Sequence, residues 1–205
     1  ENEMTDAEMQ KLLDRVLETR ELFTFDDFIR HWATKTPDRT AIDSDDLHLT
    51  YAELEQATAQ VATALAAMGL SKGDRIAWFG KNAGTYFTLF FGAARAGYVM
   101  VPVGWRLAEP EAAFILDNAE AKLLFLGDGF EACAATLGQR PGLKACLTAP
   151  EARKLIADTP RADFVPSQPD DAVLQLYTSG TTGNPKGAVL SNRNLFGLRK
   201  AAFDN

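Results

Sequence analysis

The chain has 205 residues, of which 46% are apolar and 24% charged, an ordinary globular composition with enough length for a sizeable core. Its 21 basic and 28 acidic residues give a net charge of −7, which argues against nucleic-acid binding through a broad basic surface and leaves only a local basic pocket open. Cys133 and Cys146 form no C-x-x-C and have no neighbouring His, so a disulfide framework or metal site is not expected, and two buried free thiols in a reducing cytoplasm are.

The N-terminus, "ENEMTDAEMQ", is acidic and lacks the basic and apolar regions of a signal peptide. Thr5 and Glu8 form a capping box before an amphipathic helix, and a second short helix is expected from Thr24 through "FDDFIRHWA". "TAID" and "HLTY", joined by the turn-rich "SDD", predict a hairpin, with Asp43, Asp45 and Asp46 in a solvated turn. Thr50 and Glu53 cap a longer helix, whose apolar residues Leu54, Ala57, Val61, Leu65 and Met68 fall at helical spacing before Gly69.

Beyond Gly69 strands and helices alternate. "RIAWFG", "YVMVPVG", "KLLFLGD" and "LKACLT" predict strands; "AGTYFTLFFGAARAG", "PEAAFILDNA", "FEACAATLGQ" and "PEARKLIADT" predict the helices between and after them. That order predicts parallel βαβ units, hence an α/β fold with a doubly wound, mostly parallel sheet flanked by helices. The apolar stretch 86–105 contains Arg95, three glycines and Pro102, so it predicts a buried helix followed by a buried strand, with no transmembrane segment. Tyr86, Phe87, Phe90 and Phe91 are expected to pack on the sheet, and His31 and His48 to be surface or capping residues. Residues 160–171, with three prolines and three acidic residues, form the linker candidate before the strand "AVLQLY".

The run "LYTSGTTGNPKGAVLSN" (176–192) then concentrates hydroxyls, glycines and one lysine directly after a strand. Gly180, Gly183 and Gly187 let another group approach bare backbone. Thr178, Ser179, Thr181 and Thr182 supply donors and Lys186 a cation on a flexible stem, a set suited to polyphosphate. The phosphate loop G-x-x-x-x-G-K-[ST] does not match, because Pro185 occupies the sixth position from Gly180 and Gly187 follows Lys186. A short strand, "AVLS", rather than a helix comes next, so the loop joins strand to strand, with a helix beginning only near Ser191.

"YTSGTTGNPKG" (177–187) resembles the phosphate-binding loop of the adenylate-forming (AMP-binding) superfamily. "LTYAEL" (49–54) is similar to that family's first core motif, and "GAARAGYVMVPVGWRLAEPEAAFIL" (92–116) to the second in its acyl-CoA ligase form. Gly104 departs from a frequent Asn, and Asn192 from a common His, so the role that His plays near the acyl pocket is not carried over to Asn192. The resemblance implies an acid–thiol ligase: a fatty or other hydrophobic carboxylate attacks ATP, releasing pyrophosphate, and coenzyme A then displaces AMP from the acyl-adenylate.

On that resemblance, Thr178, Ser179, Gly180, Thr181, Thr182, Gly183, Lys186 and Gly187 would grip the phosphates. No catalytic residue or metal ligand is expected within these 205 residues; the main Mg2+ ligand, adenine pocket and most of the acyl pocket would lie downstream. Residues 1–205 would be the first part of an N-terminal AMP-binding domain: 1–70 helices and hairpin, 71–159 the βαβ region, 160–171 the linker, 172–205 the phosphate-loop strands and following helix. The piece would then be inactive alone, a view that its opening without Met also suits. Two alternatives remain: an adenylation domain that loads a carrier protein, from which "VPVGWRL" leans away, and a non-catalytic binding or assembly module in which open sheet edges drive homo-oligomer formation.

Overall fold

The computed structural model describes residues 5, 10, 14, 18, 19, 21–178 and 185–201. The first expected helix, with its Thr5–Glu8 cap, falls largely outside them. Helix α1 (Phe25–Lys35) starts where Thr24 Oγ1 accepts the Asp27 N–H at 3.1 Å. Strands β1 (Thr40–Asp43) and β2 (His48–Thr50) pair antiparallel. Helix α2 (Tyr51–Ala67) opens with the Thr50–Glu53 capping box, which satisfies two orphan backbone donors at once, and the chain turns out of it at Gly69 with φ 74°.

A six-stranded sheet follows. Its strands are β3 (Arg75–Phe79), β4 (Val99–Val103), β5 (Leu123–Leu126), β6 (Ala145–Thr148), β7 (Ala172–Thr178) and β8 (Lys186–Ser191), in the order β6-β5-β3-β4-β7-β8. All neighbours run parallel except β7 and β8, which form an antiparallel hairpin at the edge. The central strands are covered on both faces, which is why "RIAWF", "VMVPV" and "LLFL" read as continuous apolar runs and not as alternation.

One face, carrying Ile76, Trp78, Met100 and Phe125, packs against α2, α3 (Gly84–Arg95) and α5 (Ala149–Asp158). The other, carrying Ala77, Phe79, Val101 and Leu124, packs against α4 (Glu109–Asn118). A small satellite core joins Ile29 and Ile42 to Leu54. The stretch 86–105 is the buried helix–strand unit expected of it, and the aromatic cluster is core: Tyr86 and Phe90 are buried and their rings meet Phe25 and Phe87. Among the described residues no helix is long and apolar enough to cross a membrane.

Two expectations fail. "FEACAATLGQ" is not an α-helix but two 3₁₀ turns, Glu131–Ala135 and Leu137–Gln139. Only Leu137 is buried there, so the segment has no apolar stripe to dock a helix, and Gly138 packs so tightly on Cys146 that an added Cβ would stand 3.0 Å from Sγ. The acidic turn of the hairpin is likewise not all solvated. Asp43 and Asp45 are exposed, but Asp46 reaches across to the start of α3, where its carboxylate accepts the Gly84 N–H at 2.7 Å, the Thr85 N–H at 3.0 Å and the Thr85 hydroxyl at 2.7 Å. Ala83 offers α3 no side-chain cap, so Asp46 acts as one from the distant hairpin turn.

Among the described residues one full charge has no solvent exposure, Arg95 at the end of α3. Gly92, one turn earlier, lets α2 approach: a Cβ there would stand 2.5 Å from Val61 Cβ. Arg95 Nε donates to Asp26 Oδ1 at 2.8 Å, Nη1 to the Glu55 carbonyl at 2.9 Å and the Thr58 hydroxyl at 2.6 Å, and Nη2 to Glu55 Oε1 at 3.1 Å. Arg30 pairs with the second oxygen of Asp26, and Arg161 chelates Glu55 at 2.7 and 3.1 Å. The segment 160–171 has no regular element but is tied down here: Phe164 lies 5.2 Å from the Arg95 guanidinium and the Ser167 N–H donates to the Arg95 carbonyl at 2.7 Å.

Removing Arg95 takes the enclosed partner from two buried carboxylates, which keep only the half-exposed Arg30 and Arg161, so Arg95→Ala should cost about 3–5 kcal/mol in urea unfolding or prevent accumulation of folded protein, whereas Lys154→Ala, which breaks an exposed pair with Asp158, should cost under about 1 kcal/mol. Asp46 yields a pH signature. Burial raises its pKa, but hydrogen bonds from Thr85, Ser44 and the Gly84 N–H outweigh that and hold it at about 2, below its ordinary 3.8. A carboxylate held low stabilises the fold above its unfolded pKa and loses that contribution as pH falls toward 2. Asp46→Ala should therefore cost about 2 kcal/mol at pH 7, and the gap from wild type should close between pH 4 and pH 2 in chemical denaturation.

Candidate phosphate-binding hairpin

Of the eight residues expected to grip phosphates, Thr178, Lys186 and Gly187 are described; Ser179, Gly180, Thr181, Thr182 and Gly183 lie outside the described residues. The three form the base of the loop. Thr178 and Lys186 are direct cross-strand partners, as are Tyr177 and Gly187. Since side chains alternate along a strand, Thr178 and Lys186 stand side by side on the face that bears Leu174 and Leu190. Both are exposed, and Lys186 has no ion-pair partner among the described residues.

The opposite face of the hairpin is anchored. Tyr177 Oη donates to Asn118 Oδ1 at 2.6 Å, at the end of α4, and accepts from Gln175 Nε2 at 3.0 Å. Burial raises the Tyr177 pKa, although the Gln175 hydrogen bond and the Arg75 charge oppose it, so the phenol is a neutral donor at pH 7. Gly187 lies against this pair: a Cβ would stand 2.6 Å from Gln175 Nε2 and 2.9 Å from Tyr177 Cζ. A side chain at this position would push the Gln175 amide or the Tyr177 ring aside at the base of the loop. An ammonium and a hydroxyl are presented together on a strand pair that is pinned from behind, an arrangement able to bind phosphate oxygens without a helix N-terminus.

A second cluster escaped the sequence reading. Helix α3 leaves β3 on one face of the sheet and α4 leaves β4 on the other, so a crevice opens at the carboxyl ends of these neighbours, the usual place for ligands in such sheets. There Trp105 has two cations near its ring, with the Arg106 guanidinium 4.2 Å and the Lys81 ammonium 5.4 Å from its centre. The available signal was the polar "GWR" directly after a buried strand. Gly104 is not demanded by space, since a Cβ would meet Leu107 at an ordinary 3.5 Å.

Asn192 is fully buried. Its side chain donates to the Ser167 hydroxyl at 3.0 Å and the Gln168 carbonyl at 3.2 Å and accepts the Phe25 N–H at 3.3 Å, so this first residue of α6 (Asn192–Ala201) ties three segments together. His48 lies 3.1 Å from Asp43 and His31 3.0 Å from Glu18, each in a carboxylate pair. Cys133 and Cys146 are free and only partly shielded, not fully buried as expected; burial raises both thiol pKa values, and Glu109 and Glu151 respectively add to this, so neither is an activated nucleophile. Among the described residues no group of three His, Cys, Asp or Glu is arranged to hold a metal.

The family described as AMP-binding enzyme matches residues 29–204. A fatty acid–[acyl-carrier-protein] ligase of Streptomyces coeruleorubidus is 40% identical over 82% of the chain and 33% of its own length. A long-chain-fatty-acid–CoA ligase of Mycobacterium tuberculosis is 36% identical over 78% of the chain and 33% of its own length. Among solved structures, the inhibitor-bound N-terminal domain of FACL13 from Mycobacterium tuberculosis superposes with a TM-score of 0.76 and 30% identity, over 82% of this chain and 44% of that one. The chain spans about a third of the length of the curated relatives it matches. With its sheet order, its strand-to-strand glycine-hydroxyl loop and a match over most of its length, the chain belongs to the AMP-binding enzyme family.

Proposed function

We propose that this chain is the first part of the N-terminal domain of an ATP-dependent acid–thiol ligase that activates a fatty or other hydrophobic carboxylic acid. The observation that carries the reading is the adjacent Thr178 and Lys186 on the anchored β7–β8 hairpin, within a family match that extends over the whole sheet. In the first half-reaction the carboxylate oxygen attacks the α-phosphorus of ATP, the bond to the bridging oxygen breaks, and pyrophosphate departs with the electron pair. Negative charge grows on that leaving group. Lys186 would bind it more strongly in the transition state than in the ground state, which is what accelerates a step. Thr178 donates a hydrogen bond beside it, Gly187 keeps the strand close to Gln175 and Tyr177, and Ser179, Gly180, Thr181, Thr182 and Gly183 complete the grip.

Coenzyme A is the proposed acceptor of the acyl group. Its thiol attacks the acyl-adenylate carbonyl and AMP leaves. The Lys81–Trp105–Arg106 cluster offers a cationic and aromatic surface in the crevice for a nucleotide-bearing substrate. Magnesium would accompany ATP and offset phosphate charge, with its main protein ligands outside these residues. Two free thiols suit a reducing cytoplasm. A second reading, in which a carrier protein replaces coenzyme A, is favoured by the 40% identity to a ligase named for an acyl carrier protein.

The parent protein, given ATP, magnesium and a panel of fatty acids, should release pyrophosphate in a coupled phosphate assay. Release with no acid-dependent component would sink the reading. Addition of coenzyme A or of a holo carrier protein then separates the two acceptors by which thioester appears. Lys186→Ala in the parent should lower the adenylation rate by about 10²–10³ while thioester formation from a supplied acyl-adenylate stays within a few fold. The 205-residue chain alone should show no turnover in the same assays.

A further inference from the structure

The buried charge network leaves one positive charge unbalanced. Three guanidiniums (Arg30, Arg95, Arg161) share two carboxylates (Asp26, Glu55). Arg95 is enclosed, so the excess charge is expressed at the two outer arginines, each about half exposed. Both line one open cavity of about 440 Å³ with Gln56, Thr34, Ala33, Ala52 and Glu55.

The donors there are largely unspent. Arg30 uses only Nε, toward Asp26, and its two terminal nitrogens have no partner among the described residues. Arg161 gives one bond from each terminal nitrogen to Glu55, leaving Nε and the outward N–H groups. The Gln56 amide has no partner among the described residues, while the Thr34 hydroxyl donates to the Arg30 carbonyl at 2.9 Å. The one carboxylate in the cavity is already committed to two guanidiniums, because Glu55 Oε1 accepts from Arg95 and Arg161 and Oε2 from Arg161. A concave surface with spare donors, spare positive charge and no spare carboxylate selects an oxyanion.

We propose that Arg30, Arg161 and Gln56 form a second anion-binding site, separate from the β7–β8 hairpin, for a small molecule bearing a phosphate group. Asp26 and Glu55 hold the two arginines apart as a prearranged clamp, and the cavity volume leaves room for an organic body beyond the phosphate.

The test titrates inorganic phosphate against chloride at constant ionic strength into the 15N-labelled chain. The Gln56 side-chain amide and the arginine Nε–H signals report this site, and the Lys186 and Gly187 amides report the hairpin. Saturable shifts at Gln56, Arg30 and Arg161 are expected. They should survive Lys186→Ala and weaken at least tenfold in Arg30→Gln, which leaves the Asp26–Arg95 pair in place. Unmoved or non-saturating signals in the wild type would overturn the proposal, as would equal affinity in Arg30→Gln or loss of the shifts in Lys186→Ala. Far-UV circular dichroism confirms that each variant is folded, and Gln56→Leu, which touches no ion pair, is expected to weaken binding several-fold; unchanged affinity in that variant counts against the site.

Discussion

Arg95 has no contact with water, and a bare guanidinium in that position would be too costly for the fold to tolerate. Its surroundings meet the cost by giving every guanidinium nitrogen a partner: a carboxylate from α1, a carboxylate, a carbonyl and a hydroxyl from α2, with an aromatic ring of the 160–171 segment beside it. An apolar replacement of equal volume could fill the space. It would not demand that α1, α2 and α3 meet in one register. Buried ion pairs are weak evidence for stability in general, but a donor set this directional permits few alternative helix arrangements.

That arrangement reaches the hairpin through the backbone. The Arg95 carbonyl holds Ser167, Asn192 bonds to Ser167 and Gln168, and Asp171, at the start of β7, accepts from Lys72 at 2.6 Å. The segment expected to be a linker is thus fastened at several points before the chain enters the sheet. Strand β7 then lies beside β4 and carries β8 at its outer edge. The position of Lys186 is set by the sheet, and the sheet's edge by a polar network centred on Arg95, more than ninety residues earlier in the sequence.

The parts of this architecture that were legible in sequence are those with local causes. The capping boxes, the hairpin, the alternating strands and helices and the strand after the glycine-rich loop each depend on residues within a few positions of one another. What was not legible depends on partners far apart. Arg95 in "GAARAG" signals that a buried charge needs a counter-ion, yet nothing local points to Asp26 or Glu55. Asp46 looks like a turn residue until α3 is placed beside it. "FEACAATLGQ" has good helix formers but no face to bury, and tertiary context overrode its propensity. The crevice cluster depends on which sides of the sheet α3 and α4 take, which the order of elements alone does not state.

The pairing of Thr178 with Lys186 has an evolutionary consequence. Strand side chains repeat every two residues, so a single insertion or deletion within β8 would carry the ammonium to the far face, against Tyr177, while a change of length in the seven residues between the partners would leave it in place. Descendants of this sequence can therefore lengthen or shorten the loop and keep its cation aimed, but they inherit the parity of the strand that follows.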